Sequence, residues 1–139
     1  MLFRSFLIYF LLYMIKISSG IEGLDKLLFG GFPKGRAYLV SGEPGTGKTL
    51  LTLQFLLEGA KMGEKGVFIT IDEKPEHIIM DMEALGWNVK PFLENGLLQI
   101  LDVTSYFSYT EISEKNGINV HHIIEDILDR KSTRLNSSH

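Results

Sequence analysis

The stretch Gly42-Glu43-Pro44-Gly45-Thr46-Gly47-Lys48-Thr49 constrains this chain more than any other. It satisfies the pattern G-x-x-x-x-G-K-[ST] at each fixed position. Ahead of it lies the apolar, β-prone segment Ala37-Tyr38-Leu39-Val40, and behind it the apolar run from Leu50 to Glu58 reads as a buried helix. Strand, glycine loop and helix in that order are the context in which the pattern carries chemistry. Gly42, Gly45 and Gly47 permit backbone angles that a Cβ forbids and let the main chain come close to a ligand. The loop N–H groups then converge on an anion, and the helix that follows adds its positive end. The nucleotide-contacting set read from the motif is Gly42, Glu43, Pro44, Gly45, Thr46, Gly47, Lys48, Thr49 and Leu50. In it Lys48 bridges the β- and γ-phosphates, and the Thr49 hydroxyl holds Mg²⁺.

A length of 139 residues makes one domain or part of one. The formal charge of −3 argues against a dominant electrostatic nucleic-acid surface, leaving room for a local patch. With no cysteine the chain has neither disulfides nor thiolate metal sites, which fits a reducing cytoplasm.

Both ends depart from the pattern between them. Residues 6–15 form an uninterrupted apolar run, too short for a spanning helix of about twenty residues. Residues 1–13 read as upstream sequence ahead of a true start at Met14, as a membrane-associating or signal-like segment, or as a buried helix or strand. Residues 131–139 are polar and aperiodic and read as a tail foreign to the domain. The domain proper is expected over residues 14–130.

Periodicity predicts a short helix over 21–28, with Ile21, Leu24, Leu27 and Leu28 inward and Asp25 and Lys26 outward. Gly30-Gly31 ends it and residues 33–35 turn. Strands are predicted over 37–41, 67–71 and 97–103. The second is apolar nearly throughout and is expected to be buried on both faces of a parallel sheet. Helices are predicted over 49–61 and from Pro75, where Ile78, Ile79, Met82 and Leu85 share a face and Gly86 closes the helix. A short helix or turn follows over 89–94. Residues 104–118 read as a long loop, and 120–130 as an amphipathic helix. Alternating strands and helices imply an α/β fold with parallel strands and right-handed crossovers.

Asp72-Glu73 follows the second strand directly. In a parallel sheet, catalytic side chains gather at the carboxyl ends of the strands, on the same edge as the glycine loop. A carboxylate there can orient and deprotonate a water aimed at the γ-phosphate. The competing reading is that the acids cap the helix beginning near Pro75.

Residues 18–35, Ser-Ser-Gly-Ile-Glu-Gly-Leu-Asp-Lys-Leu-Leu-Phe-Gly-Gly-Phe-Pro-Lys-Gly, resemble the lead-in of KaiC-like and RadA-like ATPases of the RecA superfamily. The spacing to Gly42–Thr49, the strand ending in paired acids before Pro75, and Ala84-Leu85-Gly86-Trp87 extend the resemblance over roughly residues 16–104 and favour the KaiC branch. It implies a P-loop NTPase with a RecA-like parallel sheet flanked by helices. It also implies ATP and Mg²⁺ as ligands, a hexamer with ATP between subunits, and possible regulatory protein partners. Lys48, Asp72 and Glu73 become the catalytic candidates. Asp72 falls on the first glutamate of the pair, the family's base, and Glu73 on the second. Aspartate there is a departure, one methylene shorter. The family's Walker B strand is expected after residue 130, where the pattern stops, so the domain reads as incomplete on its C-terminal side. Hydrolysis is then expected of the intact protein, and weak nucleotide binding with little turnover of this chain. Alternatives are a recombinase-related, DNA-dependent ATPase and a non-hydrolysing nucleotide sensor.

His121 and His122 are neighbours that face different directions on a helix and do not chelate together. Trp87, Phe92, Tyr106, Phe107 and Tyr109 are not interleaved with basic residues, and are expected to pack rather than to stack on bases.

Overall fold

The computed structural model describes residues 2–105, together with Glu125 and Asp129. The expected helix at 120–130, most of the loop at 104–118, the tail, His121, His122, Tyr106, Phe107 and Tyr109 lie outside the described residues, apart from helical backbone at Glu125 and Asp129. In chain order the elements are α1 (Leu2–Met14), β1 (Lys16–Ile17), α2 (Glu22–Leu27), β2 (Phe32–Pro33), α3 (Lys48–Lys61), β3 (Gly66–Thr70), α4 (Pro75–Ala84), α5 (Lys90–Glu94) and β4 (Leu98–Asp102).

The core forms where α3 and α4 close on β4. Leu53 and Leu57 lie one turn apart on α3, as do Ile78 and Met82 on α4, and both pairs are buried with Val89 and Leu98. Burying each such side chain is worth about 1.5–3 kcal/mol. Trp87, Phe92 and Phe68 pack around this cluster, so Trp87 and Phe92 serve packing, as expected. Gly66 opens β3 beneath α3, where a Cβ would come within 2.8 Å of Leu56 Cδ2. The absence of a Cβ there lets Leu56 of the helix come down onto the strand.

β3 and β4 pair in parallel from Gly66↔Leu98 to Thr70↔Asp102. The expectation that β3 is covered on both faces does not hold. Phe68 and Thr70 turn inward, while Val67 and Ile69 are 43% and 47% exposed. No described element covers that second face. Leu85 is likewise exposed and ends α4 rather than joining its buried face.

The predicted strand at 37–41 is absent. Those residues are extended but join no ladder among the described residues, and Leu39 is 93% exposed. A strand is stabilised by hydrogen bonds and side-chain contacts with a neighbour, so β-prone sequence without one stays unpaired. What anchors this segment is aromatic. The Tyr38 ring tilts against Phe32 at 4.7 Å, Phe32 meets Phe55 of α3 edge-on at 6.0 Å, and the Tyr38 hydroxyl donates to the Pro33 carbonyl.

The lead-in is a tight knot. β1 and β2 pair antiparallel, a ladder not foreseen from the sequence. Gly31, with φ at +134°, passes so close to β1 that a Cβ would sit 2.2 Å from the Ile17 carbonyl oxygen. Asp25 corrects the expected orientation of α2. It turns inward, while Leu27 is 77% exposed. Its carboxylate accepts from Ser18 Oγ at 2.7 Å, Ser19 Oγ at 2.6 Å and Ser19 N at 2.9 Å. The Ser19 hydroxyl, then the Ser19 amide and the Ser18 hydroxyl, hold the Asp25 carboxyl below the usual aspartate range despite some desolvation. Gln54 of α3 donates to the Gly20 carbonyl at 3.0 Å and ties the knot to the helix.

α1 touches β2, while its Phe6, Leu7, Ile8, Phe10 and Met14 are exposed. No described helix is long and apolar enough to cross a membrane.

Candidate phosphate-binding site

The loop between residue 41 and α3 owes its shape to its glycines for two different reasons. Gly45 and Gly47 lie at φ +84° and +89°, and a Cβ at either would meet open space. Left-handed backbone angles, not crowding, call for glycine there. At Gly42 the reason is space, since a Cβ would lie 2.7 Å from Thr46 Oγ1. Thr46 closes the loop by donating its hydroxyl to the Glu43 carbonyl at 2.8 Å and its amide to the same oxygen at 3.3 Å.

Gly47 is the N-cap of α3, and no side chain caps the helix. The first-turn N–H groups that a helix leaves unpaired thus open onto the loop, with the positive end of the helix dipole behind them. Lys48 arches back over the loop, its Nζ donating to the Gly42 carbonyl at 2.6 Å and the Glu43 carbonyl at 2.9 Å. Both partners are neutral oxygens at the surface. Phosphate oxygens make stronger, charge-assisted bonds with an ammonium group. Gly42 to Gly47, Thr49 and Leu50 are exposed, and Lys48 is partly buried. The loop therefore fits a polyphosphate: it offers uncapped amides, open glycines and one exchangeable cation.

A cleft of about 380 Å³ lies between α3 and α4, lined by Thr49, Leu50, Leu53, Glu73, Ile78, Asp81, Ala84 and Leu85. Thr49 and Glu73 thus share one space. Asp72 is exposed and is not among the lining residues. Among the described residues no group of three or more His, Cys, Asp or Glu side chains is arranged to hold a metal ion. The Thr49 hydroxyl would offer a metal here one oxygen.

Sequence reasoning overlooked the residues that fix the acid pair. The buried Thr70 hydroxyl donates to the Glu73 carbonyl and accepts from the Glu73 amide, both at 3.0 Å. Val103 N donates to the Thr70 carbonyl at 2.9 Å, and Thr104 Oγ1 to the Ile71 carbonyl at 2.7 Å. Thr104 N in turn donates to Asp102 Oδ1 at 2.8 Å, and the Thr104 hydroxyl also touches that oxygen. These bonds, the hydroxyl first, hold the Asp102 carboxyl below the usual range, with a smaller contribution from the Lys74 charge. A threonine closing a strand is the one sequence signal that could have pointed to this arrangement.

The family described as "ATPase: KaiC" matches residues 17–134. The chain belongs to the KaiC family of ATPases. Its fold is accordingly the RecA-like P-loop fold, of which the described residues supply the glycine loop, α3, the parallel β3–β4 pair and α4. An UPF0273 protein of Pyrococcus horikoshii is 42% identical over 87 residues, 63% of this chain and 35% of the relative. Another from Thermotoga maritima is 44% identical over 90 residues, 64% of this chain and 37% of the relative. The circadian clock oscillator protein KaiC of Nostoc is 49% identical over 90 residues, 64% of this chain and 17% of that protein. The chain thus spans about a third of the UPF0273 relatives and a smaller part of the KaiC oscillator. The lead-in from Ile17 onward, the glycine loop and the acid pair described above fall inside the matched residues.

Proposed function

We propose that this chain binds ATP with Mg²⁺ at residues 42–50, and that the intact protein hydrolyses it as a homo-oligomeric, KaiC-like regulatory ATPase of the cytoplasm. The observation that carries the proposal is the uncapped start of α3, reached through left-handed Gly45 and Gly47, with Lys48 folded back on the loop's own carbonyls. On binding, Lys48 exchanges the Gly42 and Glu43 oxygens for phosphate oxygens, while the loop amides hold the same anion. The Thr49 hydroxyl would hold Mg²⁺, which would supply positive charge to offset that of the nucleotide's phosphates. Glu73, sharing the cleft with Thr49, orients a water and accepts its proton.

Lys48→Ala is expected to weaken ATP binding by at least about a hundredfold, two charge-assisted hydrogen bonds' worth. Calorimetric titration measures this, and unchanged affinity would remove the assignment. A second reading has one observation in its favour. Asp72, at the position where the family's base is expected, is not among the residues lining the cleft. In that reading the protein is a nucleotide sensor that binds without turnover. Tight binding with no phosphate release, and turnover gained by Asp72→Glu, would select it.

A further inference from the structure

We propose that Thr104 is a positioning residue for the acid pair, and that with Asp102 it forms a clasp holding Glu73 in the cleft beside Thr49. The inference rests on the reading of Glu73 as the residue that orients water.

The β3–β4 ladder registers only as far as Thr70↔Asp102. Beyond it, Asp72 and Glu73 are exposed, and exposed chain past a strand end is free to fray. The next residues of the neighbouring strand extend the grip. Val103 N takes the Thr70 carbonyl and Thr104 Oγ1 takes the Ile71 carbonyl. The second contact differs in kind, because a side chain supplies a donor the ladder no longer offers. A hydroxyl carries one hydrogen, and two acceptors face it here, Ile71 O and Asp102 Oδ1. Asp102 Oδ1 already accepts the Thr104 amide at 2.8 Å. That bond places the Thr104 side chain within reach of Ile71, and the single hydroxyl hydrogen is shared between the Ile71 carbonyl and the Asp102 carboxylate.

From Ile71 the chain needs only two residues to reach Glu73, and the Thr70 hydroxyl closes that span with its two bonds to the Glu73 backbone. Residues 70–73 are thus held at Glu73 by the Thr70 hydroxyl, and at Thr70 and Ile71 by Val103 and Thr104 of the neighbouring strand. Thr104 is exposed and contributes nothing to the apolar core. Its hydroxyl instead fixes the backbone immediately before the two acids. Small errors in the placement of a group that aligns a water are costly to catalysis and nearly invisible to ground-state binding.

The test uses the whole 139-residue chain, unaltered and as Thr104→Val and Thr104→Ser, with Lys48→Ala as the control for nucleotide binding. Affinities for Mg·ADP and for Mg·ADP with aluminium fluoride, which mimics the phosphoryl group in transfer with its attacking water, are measured by calorimetry. Amide exchange at Glu73 is followed alongside. Thr104→Val, which keeps the shape and removes the donor, is expected to bind Mg·ADP within about twofold of the unaltered chain. It should bind the fluoride complex about tenfold more weakly, one hydrogen bond's worth. Faster exchange at the Glu73 amide should accompany the loss, and Thr104→Ser should restore both. Equal preference for the fluoride complex in the unaltered chain and both Thr104 variants would overturn the proposal. So would a parallel loss of both ligands with a lower melting temperature, which marks a general fold defect. An unaltered chain that gains nothing from fluoride also overturns it, and leaves nucleotide binding standing. ADP binding that is identical in the unaltered chain and Lys48→Ala removes the underlying reading instead.

Discussion

Residues 37–41 and β3 are alike in composition and opposite in outcome. Ala-Tyr-Leu-Val-Ser leads into the glycine loop, and Gly-Val-Phe-Ile-Thr leads into the acid pair. β3 has β4 beside it in full register and α3 above it. Residues 37–41 have no ladder among the described residues and lean on Phe32 through one ring. Apolar, β-prone sequence makes a chain ready to be a strand, and a neighbour makes it one. The consequence reaches the site. The acid pair is held by four backbone or hydroxyl bonds from Thr70, Val103 and Thr104. The glycine loop is held by its own Thr46 and Lys48 and by the start of α3.

The largest effect is expected outside both segments, where the lead-in knot supports α3. Gly31→Ala puts a Cβ against the Ile17 carbonyl oxygen at a φ of +134°. Strain and overpacking together should cost about 4 kcal/mol. Urea unfolding measures it, and a loss below about 1 kcal/mol would mean that the β1–β2 pair simply opens at little cost. Next comes the covered side of the sheet. Leu53 is 1% exposed at the centre of the core, and Leu53→Ala should cost about 3 kcal/mol.

Asp25→Asn should cost about 2 kcal/mol, because it removes the charge and leaves one acceptor oxygen where two carboxylate oxygens serve three donors. The acid limb of the stability profile gives a sharper reading. The folded Asp25 carboxyl titrates below its unfolded value, which is about 3.9. Its contribution is therefore complete above that pH and is lost as the pH falls toward and through the folded value. The unaltered chain should lose stability over that acid range more steeply than the Asn variant. Parallel profiles would contradict the inward placement of Asp25.

Much of this was legible beforehand, and the reasons are physical. The glycine loop and α3 follow from local backbone demands, which a sequence states directly. Pro75 opens α4 and the Ile78–Met82 spacing buries it, again local information. Asp25 was misjudged because α2 is short. Over six residues a period assigns faces weakly, and the serine donors that draw the acid inward lie outside the helix. The Thr70–Glu73 and Thr104–Ile71 bonds were illegible for a related reason. The first is a side chain closing its own strand's turn, and the second spans 33 positions. Neither has a period or a composition. The shared cleft of Thr49 and Glu73 depends on how α4 packs against α3, which no local pattern specifies.

The smallest expected effect bears most directly on the two segments. Leu39 is 93% exposed and Phe68 packs against the core. If residues 37–41 are unpaired in this chain, Leu39→Ala removes no buried contact and should change stability by less than about 0.5 kcal/mol. Phe68→Ala at the matching position of β3 should cost several times more, about 2 kcal/mol for a half-buried ring. Urea unfolding of the two variants side by side gives the ratio. Equal losses would mean that residues 37–41 find a strand partner in solution, and the difference between the two segments would vanish with it. A near-silent Leu39 together with a costly Phe68 would locate the chain's own stability in α3, α4 and the β3–β4 pair. The glycine loop would then enter binding from a loose side, and nucleotide would do part of the ordering. ATP should in that case raise the protection of amides in residues 42–47 more than that of amides in β3, because β3 already has its ladder.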